Sequence, residues 1–253
     1  NCVQRHCTRL NAFCSILYGV SSASASRCNG VDIMVSREPV RFDLGDCESL
    51  RIEYEVGDSI CIALADALKA KNVLTSLDLQ DHRIGPPGAS ALAEALKHNA
   101  VLTNLNISWN QLGPLGAKAF AGMLSVNGVL RNLDVSANNI KDSGAIALAN
   151  SLSVNNALSD LSLRGNAIRD EGVEAIATAL KANAILTNLN LELNRNGPQV
   201  SSAIMQALKV NGILTRLSIS NLPEWRKKPI EIALQRNRNA QAATTVRLAK
   251  EEL

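Results

Sequence analysis

Leu102-Thr103-Asn104-Leu105-Asn106-Ile107-Ser108-Trp109-Asn110, followed by Gly116-Ala117-Lys118-Ala119-Phe120-Ala121, is the stretch that decides the reading of this chain. Its first leucine returns at Leu74, Leu130, Leu158, Leu186 and Leu214, in steps of 28 residues. The second leucine gives Leu77, Leu105, Leu133, Leu161, Leu189 and Leu217, and the third apolar position gives Leu79, Ile107, Val135, Leu163, Leu191 and Ile219. A fixed period of roughly 20–50 residues marks a solenoid, in which each unit buries its apolar side only against its neighbours.

Each unit opens with alternating apolar residues, the pattern of a short strand buried on one side. The expected strands are centred on Leu77, Ile107, Val135, Leu163, Leu191 and Ile219. Asn110, Asn138, Asn166 and Asn194 close the segment. An asparagine side chain both donates and accepts, so stacked copies can satisfy the backbone of an irregular turn. A turn ending in Gly88, Gly116, Gly144 or Gly172 leads to helical spacing, as in Phe120 and Leu124 or Leu148 and Leu152. A second asparagine column, Asn99, Asn127, Asn155, Asn183 and Asn211, falls just past each helix, where a left-handed cap residue is expected.

The pattern LxxLxLxxNxIxxxGxxALAxAL resembles leucine-rich repeats of the ribonuclease-inhibitor type, as in the repeat regions of NOD-like receptors and in Ran GTPase-activating proteins. The resemblance implies an α/β solenoid, a horseshoe with parallel strands on the concave face and helices on the convex face. The expected organisation is an irregular segment at 1–44, one degenerate and six regular repeats at 45–222, and a basic capping helix and tail at 223–253. In that tail Pro229 is placed to start the helix, Ile232 falls one period after Ile204, and Arg236 takes the column of Leu208.

Hydrophobic residues make up 46% of the chain and aromatics only 3%, as suits a core of Leu, Ile, Val and Ala. No run is long and apolar enough to suggest a membrane span. From Pro223 onward seven basic residues face four acidic ones, an excess equal to the whole net charge of +3. The chain starts at Asn1, so a fragment or a processed protein is expected. Cys2, Cys7, Cys14 and Cys28 follow no zinc spacing, and Cys61 aligns with Ala89 as a small core residue. Arg5 and Arg9, the apolar run 12–20 and Ala23-Ser24-Ala25 form a signal-like pattern, so secretion is the alternative to a cytoplasmic location. The glycosylation sequon Asn106-Ile107-Ser108 sits in a predicted strand, which counts against secretion.

Three histidines fall in unrelated positions, and GxSxG, HExxH, GxxxxGK[ST] and GxGxxG are all missing. The sequence therefore points away from an enzyme, with no cofactor and no metal. What remains is a surface: residues flanking the strand leucines face away from the core. Asn106, Asp134, Arg164, Asn190 and Glu192, with Trp109 beside them, are the candidate partner-binding residues. Trp109 stands out because its counterparts are Asp81, Ala137, Gly165, Leu193 and Asn221. An exposed tryptophan anchors interfaces, though packing on the neighbouring turn would explain it equally. The expected function is a monomeric, non-enzymatic module binding a protein partner, not nucleic acid or membrane. A GTPase-activating protein of the Ran-directed type, or a repeat fragment of a larger NOD-like receptor, is the alternative.

Overall fold

The computed structural model describes residues 47–52, 57–69 and 73–251, so the N-terminal segment with its four cysteines and signal-like pattern lies outside the described residues. Strand β1 (Ser49–Arg51) is followed by helix α1 (Gly57–Lys69). Then come β2 (Ser76–Asp78), α2 (Pro86–Leu96), β3 (Asn104–Asn106), α3 (Gly113–Leu124), β4 (Asn132–Asp134) and α4 (Lys141–Leu152). The chain continues with β5 (Asp160–Ser162), α5 (Asp170–Leu180), β6 (Asn188–Leu191), α6 (Val200–Val210), β7 (Arg216–Ile219) and α7 (Glu224–Glu251). All strands join one parallel sheet in sequence order.

The register is the repeat itself: Leu77 pairs with Leu105, Leu105 with Leu133, Leu133 with Leu161 and Leu161 with Leu189. Leu50 pairs with Leu77, an offset one residue short of the others, so the first unit is the atypical one. Strands β2 to β5 are centred on the second leucine, two residues earlier than expected for β3, β4 and β5. Beyond Asn106 and its counterparts the chain bends toward the asparagine turn, and the third apolar residue keeps only one rung, such as Ile107 N–H to Asp134 O at 2.9 Å. Adjacent strands lie about 4.8 Å apart, whereas packed helices need about 8–10 Å. Joining the two layers unit by unit therefore curves the solenoid with the strands inside.

Buried asparagines hold one unit to the next. Asn138 donates from Nδ2 to Ile107 O (2.9 Å), Val135 O (3.1 Å) and Ser136 O (3.0 Å), while its Oδ1 accepts from Leu112 N–H (3.2 Å). Asn110, Asn166 and Asn194 repeat this at 28-residue steps. The second column behaves differently from expectation: its asparagines are not left-handed caps, and Asn211 is extended at φ −79° and ψ 114°. Their side chains instead satisfy the preceding repeat. Asn127 Nδ2 donates to Leu96 O at 2.7 Å, and its Oδ1 accepts from Val129 and Leu130 N–H. A carbonyl left open at one helix end is thus closed from the next unit.

The glycine column serves close approach rather than an unusual turn. A Cβ on Gly144 would lie 2.8 Å from Ala117 Cβ and 2.4 Å from Ile140 Cγ2. Helix α7 begins at Glu224 and runs through Pro229, earlier than the expected start. Its buried residues are Ile230, Leu234 and Asn237, while Ile232 is 63% exposed. Each buried position sits two residues before its place in the 28-residue count from Ile204, Leu208 and Asn211. The turn at Leu222-Pro223 is shorter than the asparagine turns, so the register slips by two. Asn237 then continues the ladder with bonds to Asn211 O (3.0 Å) and Leu214 O (2.8 Å), and Arg236 caps Leu208 O at 2.7 Å.

Two substitutions probe this architecture by chemical denaturation. Leu133→Ala is expected to cost about 2–5 kcal/mol as a large-to-small core change. Asn138→Ala is expected to cost about 1–3 kcal/mol, because it strands buried turn carbonyls. An unchanged midpoint for Asn138→Ala would dismiss the ladder.

Candidate functional site

The outward-facing strand residues form three polar columns across the sheet. Asn106 lies opposite Asp134, Asp134 opposite Ser162, and Ser162 opposite Asn190. These residues are half-buried and already engaged. Asn106 Nδ2 donates to Asp78 Oδ1 at 3.0 Å, and its Oδ1 accepts from Ser108 N–H (3.1 Å) and Oγ (2.7 Å). Asp134 Oδ1 accepts from Ser136 N–H (2.8 Å), and Asn190 Oδ1 from Glu192 N–H (3.0 Å). Each therefore makes a local side-chain turn at or next to the end of its strand, a preference of Asn and Asp. Farther along, Arg164 and Glu192 are exposed and pair at 3.8 Å, an interaction worth about 0–1 kcal/mol in solvent. The sheet thus brings five of the six candidate residues onto one polar surface.

Trp109 stands apart from them, in the turn at the edge of that surface. It is 59% exposed, so most of its surface faces solvent. Its backbone is left-handed at φ +57°. So are Asp81, Ala137, Leu193 and Asn221 in the same column, with Gly165 at +68°. The ladder imposes this in the inner repeats: Trp109, Ala137, Gly165 and Leu193 each precede a buried asparagine, and Trp109 N–H is drawn to Ser136 O of the next repeat at 2.9 Å. Gly, Asn and Asp suit such a backbone, whereas a bulky residue there carries a penalty of about 1–2 kcal/mol.

Leu193 also meets that penalty and is 60% exposed. It lies three repeats from Trp109, about 14 Å at the strand spacing. The two apolar side chains flank Ala137 and Gly165, so the rim is a saddle with a low middle. Exposed Trp225 follows Asn221, the last member of the column, with the Arg226 guanidinium 4.6 Å from its ring. Leu193 and Trp225 were not among the candidate residues. Leu193 could have been found, because a leucine is out of place in a column of Asp, Ala, Gly and Asn.

Four segments, 70–93, 98–121, 126–149 and 154–177, match the Leucine Rich repeat family, and each falls on one strand-turn-helix unit. The stretch 70–177 is a run of leucine-rich repeats. Among solved structures, its repeats resemble the actin-binding site 2 of leiomodin-1, at 19% identity and a TM-score of 0.52, covering 75% of this chain and 95% of that one. They also resemble the tropomodulin C-terminal domain from Caenorhabditis elegans, at 19% identity and a TM-score of 0.56, covering 65% and 99% respectively. At that identity the likeness is one of fold. No curated protein gives a significant sequence match.

Among the described residues no group of three or more His, Cys, Asp or Glu is placed to hold a metal ion, and no helix is long and apolar enough to cross a membrane. Burial pushes the Cys61 thiol up to about 12, with the nearby Asp58 charge adding to the shift, so it stays protonated in the core.

Glycine at the rim separates a structural from a surface role. Trp109→Gly and Leu193→Gly remove a left-handed penalty of about 1–2 kcal/mol and add about 0.4–1 kcal/mol of unfolded-state entropy. The expected melting temperature is unchanged or slightly raised. A fall of several degrees would mean that these side chains support the fold.

Proposed function

We propose that this protein is a non-enzymatic interaction module that binds a protein partner across its concave face. Trp109 and Leu193 act as apolar anchors at the rim, and Asn106, Asp134, Arg164, Asn190 and Glu192 form the polar field beside them. The observation that carries the reading is the pair of large, exposed apolar residues in a backbone column that disfavours them. Strained residues concentrate where function maintains them, and exposed tryptophans flanked by polar surface are typical binding anchors.

The polar residues contribute mainly to specificity, because Asn106, Asp134 and Asn190 already spend hydrogen bonds on their own turns. A partner must offer apolar groups to the rim and replace only the remaining water contacts of the polar columns. The leiomodin-1 domain of similar fold is an actin-binding site, so actin is the first partner to assay.

The test is a titration of the full chain with the partner it captures, actin first. Trp109→Ala is expected to weaken binding by about 2 kcal/mol or more, with the fold intact. Charge reversal at Lys118 and Lys181 on the exposed helix surface is expected to leave affinity nearly unchanged. Loss of binding through the helix changes alone would place the interface on the other side.

A further inference from the structure

The free edge of β7 is a second candidate for recognition, far from the rim residues in chemistry. In the inner repeats the third apolar residue donates its N–H to the next strand: Val135 to Ser162 O at 3.1 Å, and Leu163 to Asn190 O at 2.8 Å. Ile219 holds that position in β7, the last strand of the sheet among the described residues. Backbone groups two residues apart on a strand point the same way, so the N–H and C=O of Leu217 also face outward. Leu217 and Ile219 are only half-buried, whereas their inner counterparts, such as Leu161 and Leu163, are fully buried.

Helix α7 caps this edge at one end only. Arg238 Nη1 donates to Thr215 O at 2.6 Å. It takes the place that the Arg131 and Asn132 N–H groups hold on Thr103 O in an inner repeat. Past that rung, a groove of about 600 Å³ opens between β7 and α7. Its walls carry Leu217 and the exposed Ile232, with Arg216, Lys228 and Arg238 against a single acid, Glu231. Neither Arg216 nor Lys228 takes part in a salt bridge among the described residues.

We propose that this groove accepts an extended acidic segment of a partner protein, added as a further strand on the edge of β7. Backbone rungs to Leu217 and Ile219 would supply binding, and alternating side chains would supply selectivity. One face of the added strand meets Leu217 and Ile232 and favours apolar residues. The other meets Arg216 and favours carboxylates. The basic balance argues against a second copy of the chain, which would bring Arg216 and Lys228 against their own equivalents. This site shares no residue with the rim, so either can fail without the other.

The experiment measures fluorescence anisotropy of the full chain with two labelled probes, an alternating valine–glutamate peptide and an alternating valine–lysine peptide. The valine–glutamate probe is expected to bind, more weakly as salt rises, and the valine–lysine probe is not. Ile219→Pro removes an outward donor without touching the β6 ladder, and edge strands tolerate proline. It is expected to weaken binding about tenfold, the loss of roughly one hydrogen bond. If that variant fails to fold, backbone N-methylation of the probe blocks the same rungs from the other side and is expected to give the same loss. Arg216→Glu with Lys228→Glu is expected to invert the preference between the probes. Equal binding of both probes, no binding of either, insensitivity to both backbone blocks, or loss of binding through Trp109→Ala would each overturn the proposal. So would self-association of the chain abolished by Ile219→Pro, since the occupant would then be a second copy.

Discussion

The structure depends on a buried asparagine that must be satisfied by two repeats at once. Asn138 and Asn166 are completely enclosed, and their bonds reach the turns of both adjoining units. An enclosed amide without partners costs about 1–3 kcal/mol, so any unit of the wrong length would break several bonds together. That constraint fixes the 28-residue step, which in turn fixes the strand register and the stacking of helices. The leucines supply most of the driving force, but they would tolerate small shifts that the amides do not. At the C-terminal end, where the turn shortens and Leu222 stands in place of the turn asparagine, α7 slides by two residues and Asn237 continues the second, helix-end column instead.

The ladder also shapes the surface. Its geometry forces the residue before each asparagine into the left-handed region, so the rim conformation is set by the core and not by the rim residue. Gly165, Asp81 and Asn221 suit it at little cost, whereas Ala137 carries the same Cβ penalty without presenting a large side chain. Trp109 and Leu193 carry it too, and neither recovers the cost by burial. The fold thus presents two costly apolar groups on a rigid frame, the condition under which an anchor loses little entropy on binding.

Much of this was legible in the sequence because a repeat states its own register several times over. Leu105, Leu133 and Leu161 could be assigned to the core and Asn106, Asp134 and Ser162 to the opposite side from alternation alone. The second asparagine column was assigned to the wrong role. Asparagine suits a left-handed cap, but in Asn127 the side chain reaches Leu96 O of the preceding repeat, a contact that local sequence does not encode. Ile232 was misplaced for a related reason: periodic counting assumes a constant turn, and Leu222-Pro223 is not one. On the candidate site, alternation indicated which residues face outward but not that Asn106 and Asp134 would bond to their own turns. Leu193 was overlooked although a leucine stood out against Asp81, Ala137, Gly165 and Asn221 in its own column.

Hydroxyl-radical footprinting of the full chain with and without its bound partner tests the central claim most directly, because it reads side-chain exposure in place without a substitution. The account predicts strong suppression of oxidation at Trp109 and Leu193, with exposed apolar residues beyond the rim, such as Val126 and Val154, unaffected. Undiminished oxidation of Trp109 and Leu193 in a saturated complex, with protection appearing at Val126 and Val154 instead, would contradict it.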